Sequence, residues 1–418
     1  MGKLIVLFVT AFVDMVGMAM ILPLLPYYAQ TFGVNAATVG ILVSAFSLSQ
    51  LACAPLWGRM SDRFGRRPAI LAGLAITAVA YVLFGLAESV GALLLSRIVQ
   101  GLGGGTIGVV QAYVADASPP DERTKSMGWL SAVTSFGAVV GPAFGSVTVS
   151  IGGRAGPGFA AAGLALIVAV FAWRYLRESL TATITAEHPT VRTHTSRTAF
   201  TAMFTQRSDP ATRLIWIYAV AIGAFYGTVP TMPLLFSDRL GITEQTIGYV
   251  IVYLGGMGVI VRALILGRAV DRLGEERLSR LGIVLLSIGL ALVGATTNYP
   301  TLVLALTLMP LGTAFLFPCL SGQLSRIVSR RERGFYMGIQ HMFGGASRVA
   351  FPIGAGIAMD QLGLGVPFFV AAGLVIALLP LTRIPSAAQP HGPERDAARA
   401  PARQSLEAFR QSPAQTLG

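Results

Sequence analysis

One carboxylate lies deep inside a long apolar run: Asp14, between Leu4 and Tyr28. A charge at the centre of a membrane helix costs about 2.5–3.5 kcal/mol on insertion scales, and such groups mark function. Burial and nearby charge tune how readily a carboxyl takes up a proton. Proton exchange is therefore the chemistry that suits Asp14, with Arg97, also inside an apolar run, as the neighbour that modulates it. A second reading makes the two a permanent structural pair. Arg262, His341 and Arg348 are further basic groups within apolar segments. Arg262, five residues from Gly267, is expected to snorkel to the surface. Arg348 lies deeper and is expected to face a cavity. His341 carries the side chain that titrates near neutral pH, with plain packing as the other reading. One acid against two deep arginines favours neutral, zwitterionic or anionic ligands over lipophilic cations. Phe225, Tyr226, Phe315 and Phe317 are candidates for an apolar wall, or else pack between helices.

Other patterns carry no chemistry. Cys53 and Cys319 each sit in an apolar run and read as small core residues. Gly103-x-Gly105-x-x-Gly108 has no preceding strand, so close helix packing is expected rather than a dinucleotide. There is no Walker loop, HExxH, GxSxG or acid pair. No enzyme activity, ATP drive, cofactor or metal is expected.

These residues need elements to hold them. The chain has 418 residues, 54% hydrophobic and 12% charged, against about 25% charged in soluble domains. Twelve segments approach the roughly 20 apolar residues that cross a bilayer: 4–28, 36–57, 69–87, 91–115, 126–150, 157–176, 213–236, 245–266, 279–297, 300–323, 335–359 and 365–384. Asp14 interrupts the first, and no small-residue cleavage site follows it, so a retained helix is expected rather than a signal peptide. Val6 stands where a myristoylation motif needs Ser or Thr. The spans predict an all-α integral membrane fold of twelve transmembrane helices in two six-helix bundles, residues 1–177 and 213–384. A polar linker (178–212) joins them, and a Pro- and Ala-rich tail (385–418) is expected to be disordered. Of the 31 Lys and Arg, 26 fall on one side of these spans, if both termini share that side, and two on the other. The positive-inside rule then places both termini in the cytoplasm. It also accounts for the net charge of +12 without nucleic acid.

The halves repeat. Gly58-Arg-Met-Ser-Asp62-Arg63-Phe-Gly65-Arg66-Arg67-Pro68 returns 209 residues later as Gly267-Arg-Ala-Val-Asp271-Arg-Leu-Gly-Glu275-Glu276-Arg277. Glu122-Arg123-x-x-x-Met127-Gly128 returns at 210 as Glu332-Arg333-x-x-x-Met337-Gly338. Pro23 and Pro26 match Pro230 and Pro233, and Pro142 matches Pro352. Gly58 and Gly65 permit tight turns, and Asp62 suits a helix N-terminus. The plainer reading is that Arg63, Arg66 and Arg67 only set topology. Parallel repeats imply an axis along the membrane normal and a site between the halves.

From about residue 4 to 384 the chain resembles the major facilitator superfamily, and within it the twelve-helix drug:proton antiporters. Gly58-x-x-x-Asp62-Arg63-x-Gly65-Arg66-Arg67 matches that family's loop between helices 2 and 3, and Arg97-x-x-Gln100-Gly101 its helix-4 motif. Gly137-x-x-x-Gly141-Pro142-x-x-Gly145 is similar to its exporter motif, with Ser146 where a second glycine usually stands. Gly17, Pro23 and Pro26 have the spacing of helix 1 in such exporters. The resemblance implies that Asp62 meets the eleventh helix and holds an outward-open state, that Arg66 pairs with Asp116, and that a helix-5 bend at Pro142 seals against proton leak. The repeat carries Arg66 to Glu275 and Asp116 to Arg326, reversing both signs. A second pair, Glu275–Arg326, is therefore expected, and the two form a latch.

The expected function is proton-coupled export of small amphipathic molecules by alternating access: a monomer in the plasma (inner) membrane, partnered by substrate, protons and lipid. Alternatives are transport of a specific metabolite such as a sugar or amino acid, a non-transporting sensor on the same scaffold, and a lipid flippase. The site is expected to combine Asp14 and Arg97 for protons, the latch, and a cavity with Tyr226, Phe317, His341 and Arg348.

Overall fold

The computed structural model describes residues 2–119, 122–176, 178, 209–328 and 332–382, and every regular element among them is helical. Lipid offers no hydrogen-bond partner, so apolar spans must close their backbone bonds internally. The first span is α1 (Gly2–Ile21) and α2 (Leu25–Thr31), interrupted at Pro23. Then come α3 (Ala36–Phe64), α4 (Arg66–Gly85), and a fourth span split into α5 (Val90–Gly104) and α6 (Ile107–Ala117). The first half ends with α7 (Arg123–Gly152) and α8 (Ala155–Tyr175). The seventh span is α9 (Pro210–Thr228) and α10 (Met232–Leu240), interrupted at Pro230. There follow α11 (Ile247–Ile260), a π turn (Val261–Ile265), α12 (Leu266–Ala295), α13 (Tyr299–Ile327), α14 (Arg333–Leu362) and α15 (Val366–Ile376).

Nine helical segments among the described residues are long and apolar enough to cross a membrane. One of them, the 49 residues Ile247–Ala295, folds back at Gly274 and holds two spans. α14 is long but more polar, with Gln340, His341 and Arg348, and α15 is short. Together these are the twelve expected. Most of the 178–212 linker and all of the 385–418 tail lie outside the described residues. Within the linker, the Asp209 side chain caps α9 at Thr212 N (2.9 Å).

The repeat is visible atom by atom. Ser89 caps α5 at Ala92 N (3.2 Å), and Asn298 caps α13 at Thr301 N (2.9 Å), 209 residues on. Arg123 donates to the Ala115 carbonyl (3.0 Å) and Arg333 to that of Ser325 (2.9 Å), each closing the C-terminal end of the preceding span. Gly65 (φ 105) and Gly274 (φ 75) each reverse the chain with one residue in a region closed to other side chains. Gly58 makes no turn. It and Gly267 are helical, because the single reversal at the later glycine suffices.

The basic loops mark one end of the molecule, here the basic end. At the far end the halves meet backbone to backbone. Added Cβ atoms at Gly40 and Gly356 would strike the Pro352 and Ala36 carbonyls, and one at Gly248 that of Pro142. Asp360 of α14 caps α3 from the opposite half, accepting from Ala36 N and Ala37 N at 2.8 Å each. Removing a cap of this kind costs ~1 kcal/mol. In an Asp360→Ala variant, a cysteine placed at the buried Ala36 should therefore react faster with an impermeant maleimide. An unchanged rate would show that the cap does not hold the far end.

Candidate functional site

Between the halves lies a cavity of about 1150 Å³, with walls from both bundles. It reaches the basic end, where Gly58, Asp62 and Arg66 line it. Arg97 comes from α5; Tyr226 from α9; Phe317 from α13; His341 and Arg348 from α14. The Arg348 guanidinium lies 4.5 Å from the Tyr226 ring centroid, and Phe225 packs edge-on against Tyr226. Tyr218 bridges Phe317 and His341 edge-on at 5.6 and 6.3 Å. Phe315 is elsewhere: two residues away on a helix is the opposite side, and it is buried with Val261 and Cys319. Arg262 is exposed, as expected. The π turn presents it to the cavity.

Asp14 lines a separate pocket of about 190 Å³ inside the first half, with Thr10, Gln111 and Ser131. Thr134 and Ile107 line both spaces, so a wall one residue thick divides them. Arg97 does not pair with Asp14. Among the described residues no cation lies within 4.0 Å of that carboxylate. Arg97 instead sits over Phe84 at 5.3 Å, 2% exposed. Tyr81 stands between the two: its hydroxyl covers Gly17, one turn from Asp14, and accepts from Gln100 Nε2 at 3.3 Å. Sequence alone did not single out Tyr81, since a tyrosine in an apolar helix looks like packing. The one available signal was Gly17, whose missing Cβ makes room for the ring.

The exporter motif sets where Asp14 stands. Added Cβ atoms at Gly137 and Gly141 would lie 2.7 Å from the Phe12 and Val16 carbonyls, and one at Gly145 would strike that of Met20. α7 thus rides on α1 at every fourth residue, and it runs unbroken through Pro142. Ser146 has a use of its own. Its hydroxyl donates to the Glu244 carbonyl and accepts from Gly248 N, both at 3.0 Å, tying α7 to the start of α11 across the halves.

At the basic end Arg66 reaches Asp116 (3.3 Å), Asp62 (2.7 Å) and Ser61 Oγ (2.9 Å). Glu275 pairs with Arg326 in the second half. Asp62 faces Arg66 and is not at the α14 N-terminus, where no side-chain cap is found among the described residues. The reason is the cavity, which separates the halves there. Arg67 donates to the Trp173 carbonyl at 2.5 Å, Arg63 lies over Phe64, and Asp271 is exposed with no ion pair among the described residues. Glu178, unforeseen, accepts from Arg66 N (2.9 Å) and Arg67 N (3.1 Å) and caps α4. Reversing one charge of the second pair, as in Glu275→Arg, should lower the melting temperature, and adding Arg326→Glu should recover part of it. Exposed pairs are worth ~0–1 kcal/mol, so a double-mutant cycle should give a coupling in that range.

Comparison with known proteins agrees with this architecture. The profile described as Major Facilitator Superfamily matches residues 7–265 and 214–417. Multidrug resistance protein 2 of Bacillus subtilis is 31% identical over 382 residues, covering 91% of this chain and 94% of that protein. The class B tetracycline resistance protein of Escherichia coli is 27% identical, over 82% and 85%. Among solved structures, the human organic anion transporter MFSD10 is 25% identical with a TM-score of 0.66, over 91% and 99%. The nucleoside transporter NupG, 15% identical with a TM-score of 0.75 over 91% and 98%, shares the fold. With two repeated six-helix halves around one cavity and a family match across both, this chain belongs to the Major Facilitator Superfamily.

Proposed function

We propose that this chain is a proton-coupled secondary exporter of small amphipathic molecules, working by alternating access as a monomer. The observation that carries the reading is the central cavity: walled by both halves, reaching the basic end, and sealed at the far end by cross-half contacts. One chain supplies the whole site. By the positive-inside rule the basic end faces the cytoplasm, in a plasma membrane, so the structure corresponds to the inward-open state. The two intra-half ion pairs then brace each bundle while the halves part, and Asp62 exchanges Arg66 for α14 when they close. The names of the curated relatives, multidrug and tetracycline resistance proteins, support export of drug-like compounds.

Asp14 is the proton carrier in this scheme. It lies one residue-thick wall from the cavity, with no cation within 4.0 Å of it among the described residues. Tyr81, whose hydroxyl covers Gly17 one turn from Asp14, accepts from Gln100, one turn from Arg97 on the cavity lining. In proteoliposomes an imposed pH gradient should drive substrate movement by the native chain. An Asp14→Asn variant should keep substrate binding and lose the response to the gradient, reduced about a hundredfold or more, the lower range for loss of a proton-transfer group. A variant that stays fully gradient-sensitive would remove Asp14 from the proton path.

A further inference from the structure

The charges lining the central cavity are unbalanced. Arg66, Arg97, Arg262 and Arg348 are cationic, and Asp62 is the one anion. Asp62 is already paired with Arg66 at 2.7 Å. The other three arginines have no carboxylate within 4.0 Å among the described residues. Arg97, 2% exposed, has Nε and Nη2 without hydrogen-bond partners, and Arg348 has an unpartnered Nε. Unmade hydrogen bonds of buried charged groups are expensive, and a guanidinium fork matches planar or tetrahedral anions. One such arginine comes from each half.

Aromatic rings complete the site. Arg348 lies over the Tyr226 ring, and Phe317 and Tyr218, in contact with each other, line the same cavity. Rings alone would also attract an organic cation. Three guanidinium groups without a paired carboxylate among the described residues oppose it.

We infer that the cavity binds small aromatic anions, the anionic group received by Arg348 and Arg97 and the apolar body by Tyr226 and Phe317. This rests on the transporter reading for movement across the membrane, whereas binding stands apart from it.

Three probes of one shape and different charge separate the cases: naphthalenesulfonate, naphthylmethyltrimethylammonium and naphthylmethanol. Equilibrium dialysis of the full chain in detergent should show the sulfonate binding tightest. Arg348→Gln should weaken the sulfonate about tenfold or more and affect naphthylmethanol far less, whose continued binding also reports a folded cavity. Arg348→Lys should recover part of the loss, and Arg97→Gln should repeat it. Equal or tighter binding of the ammonium probe, no binding of the sulfonate, or wild-type sulfonate affinity in both glutamine variants would overturn the proposal. Proteoliposomes under a pH gradient keep the two readings apart. Sulfonate bound as expected but never moved counts against transport alone. Ammonium moved and sulfonate refused counts against the anion site and leaves transport standing.

Discussion

Backbone pressed on backbone is the contact that everything else in this molecule depends on. In lipid there is no hydrophobic drive between helices, so association rests on close van der Waals approach. Here that approach occurs wherever glycine meets a carbonyl: Gly137 and Gly141 on Phe12 and Val16, Gly40 on Pro352, Gly248 on Pro142. The first set fixes α1, and with it Asp14. The second closes the far end. A cavity of about 1150 Å³ at the other end can exist only because the far end holds. Proline contributes to the same contacts: Pro142 and Pro352 both present their own carbonyls to a glycine of the opposite half.

Two halves of one design have been charged differently. The geometry of the loop, the caps and the C-terminal arginines is kept across an offset of about 210 residues. The braces are kept too, but as Arg66–Asp116 in one half and Glu275–Arg326 in the other. Position is conserved while sign is not, which is what a pairwise attraction permits. The acid of the first span has no such counterpart, since Ala221 stands at the matching place and is fully buried. In the proposed scheme proton chemistry is thus confined to one bundle, whereas arginines without an ion pair among the described residues line the cavity from both.

Much of this was readable beforehand because periodic signals survive in a linear string. Apolar length marked the spans, the 209–210 offset marked the halves, and reversed charges at matching places marked the second brace. What escaped had local sequence indistinguishable from its surroundings. Gly58 resembles a turn former, yet the helix continues through it to Gly65. Phe315 and Phe317 differ only in which way a helix turns them. Arg97 and Asp14 lie in neighbouring spans, and no spacing rule says that Tyr81 comes between. The Asp360 cap on α3 joins residues more than 320 positions apart, a contact that only folding creates.

α3 runs without a break from Ala36 at the sealed end to Phe64 at the basic end, and α14 crosses it as a second unbroken rod. Ser44 bonds the Val349 carbonyl at 2.6 Å within their contact, which runs from Ala36 against Gly356 to Leu51 against Gly345. At 1.5 Å per residue, that leaves an arm of about 12 Å toward the seal and about 30 Å toward the cavity mouth. In the proposed alternating-access scheme the two rods are levers of unequal length, so a small parting at the sealed end corresponds to a movement more than twice as large at the cavity mouth.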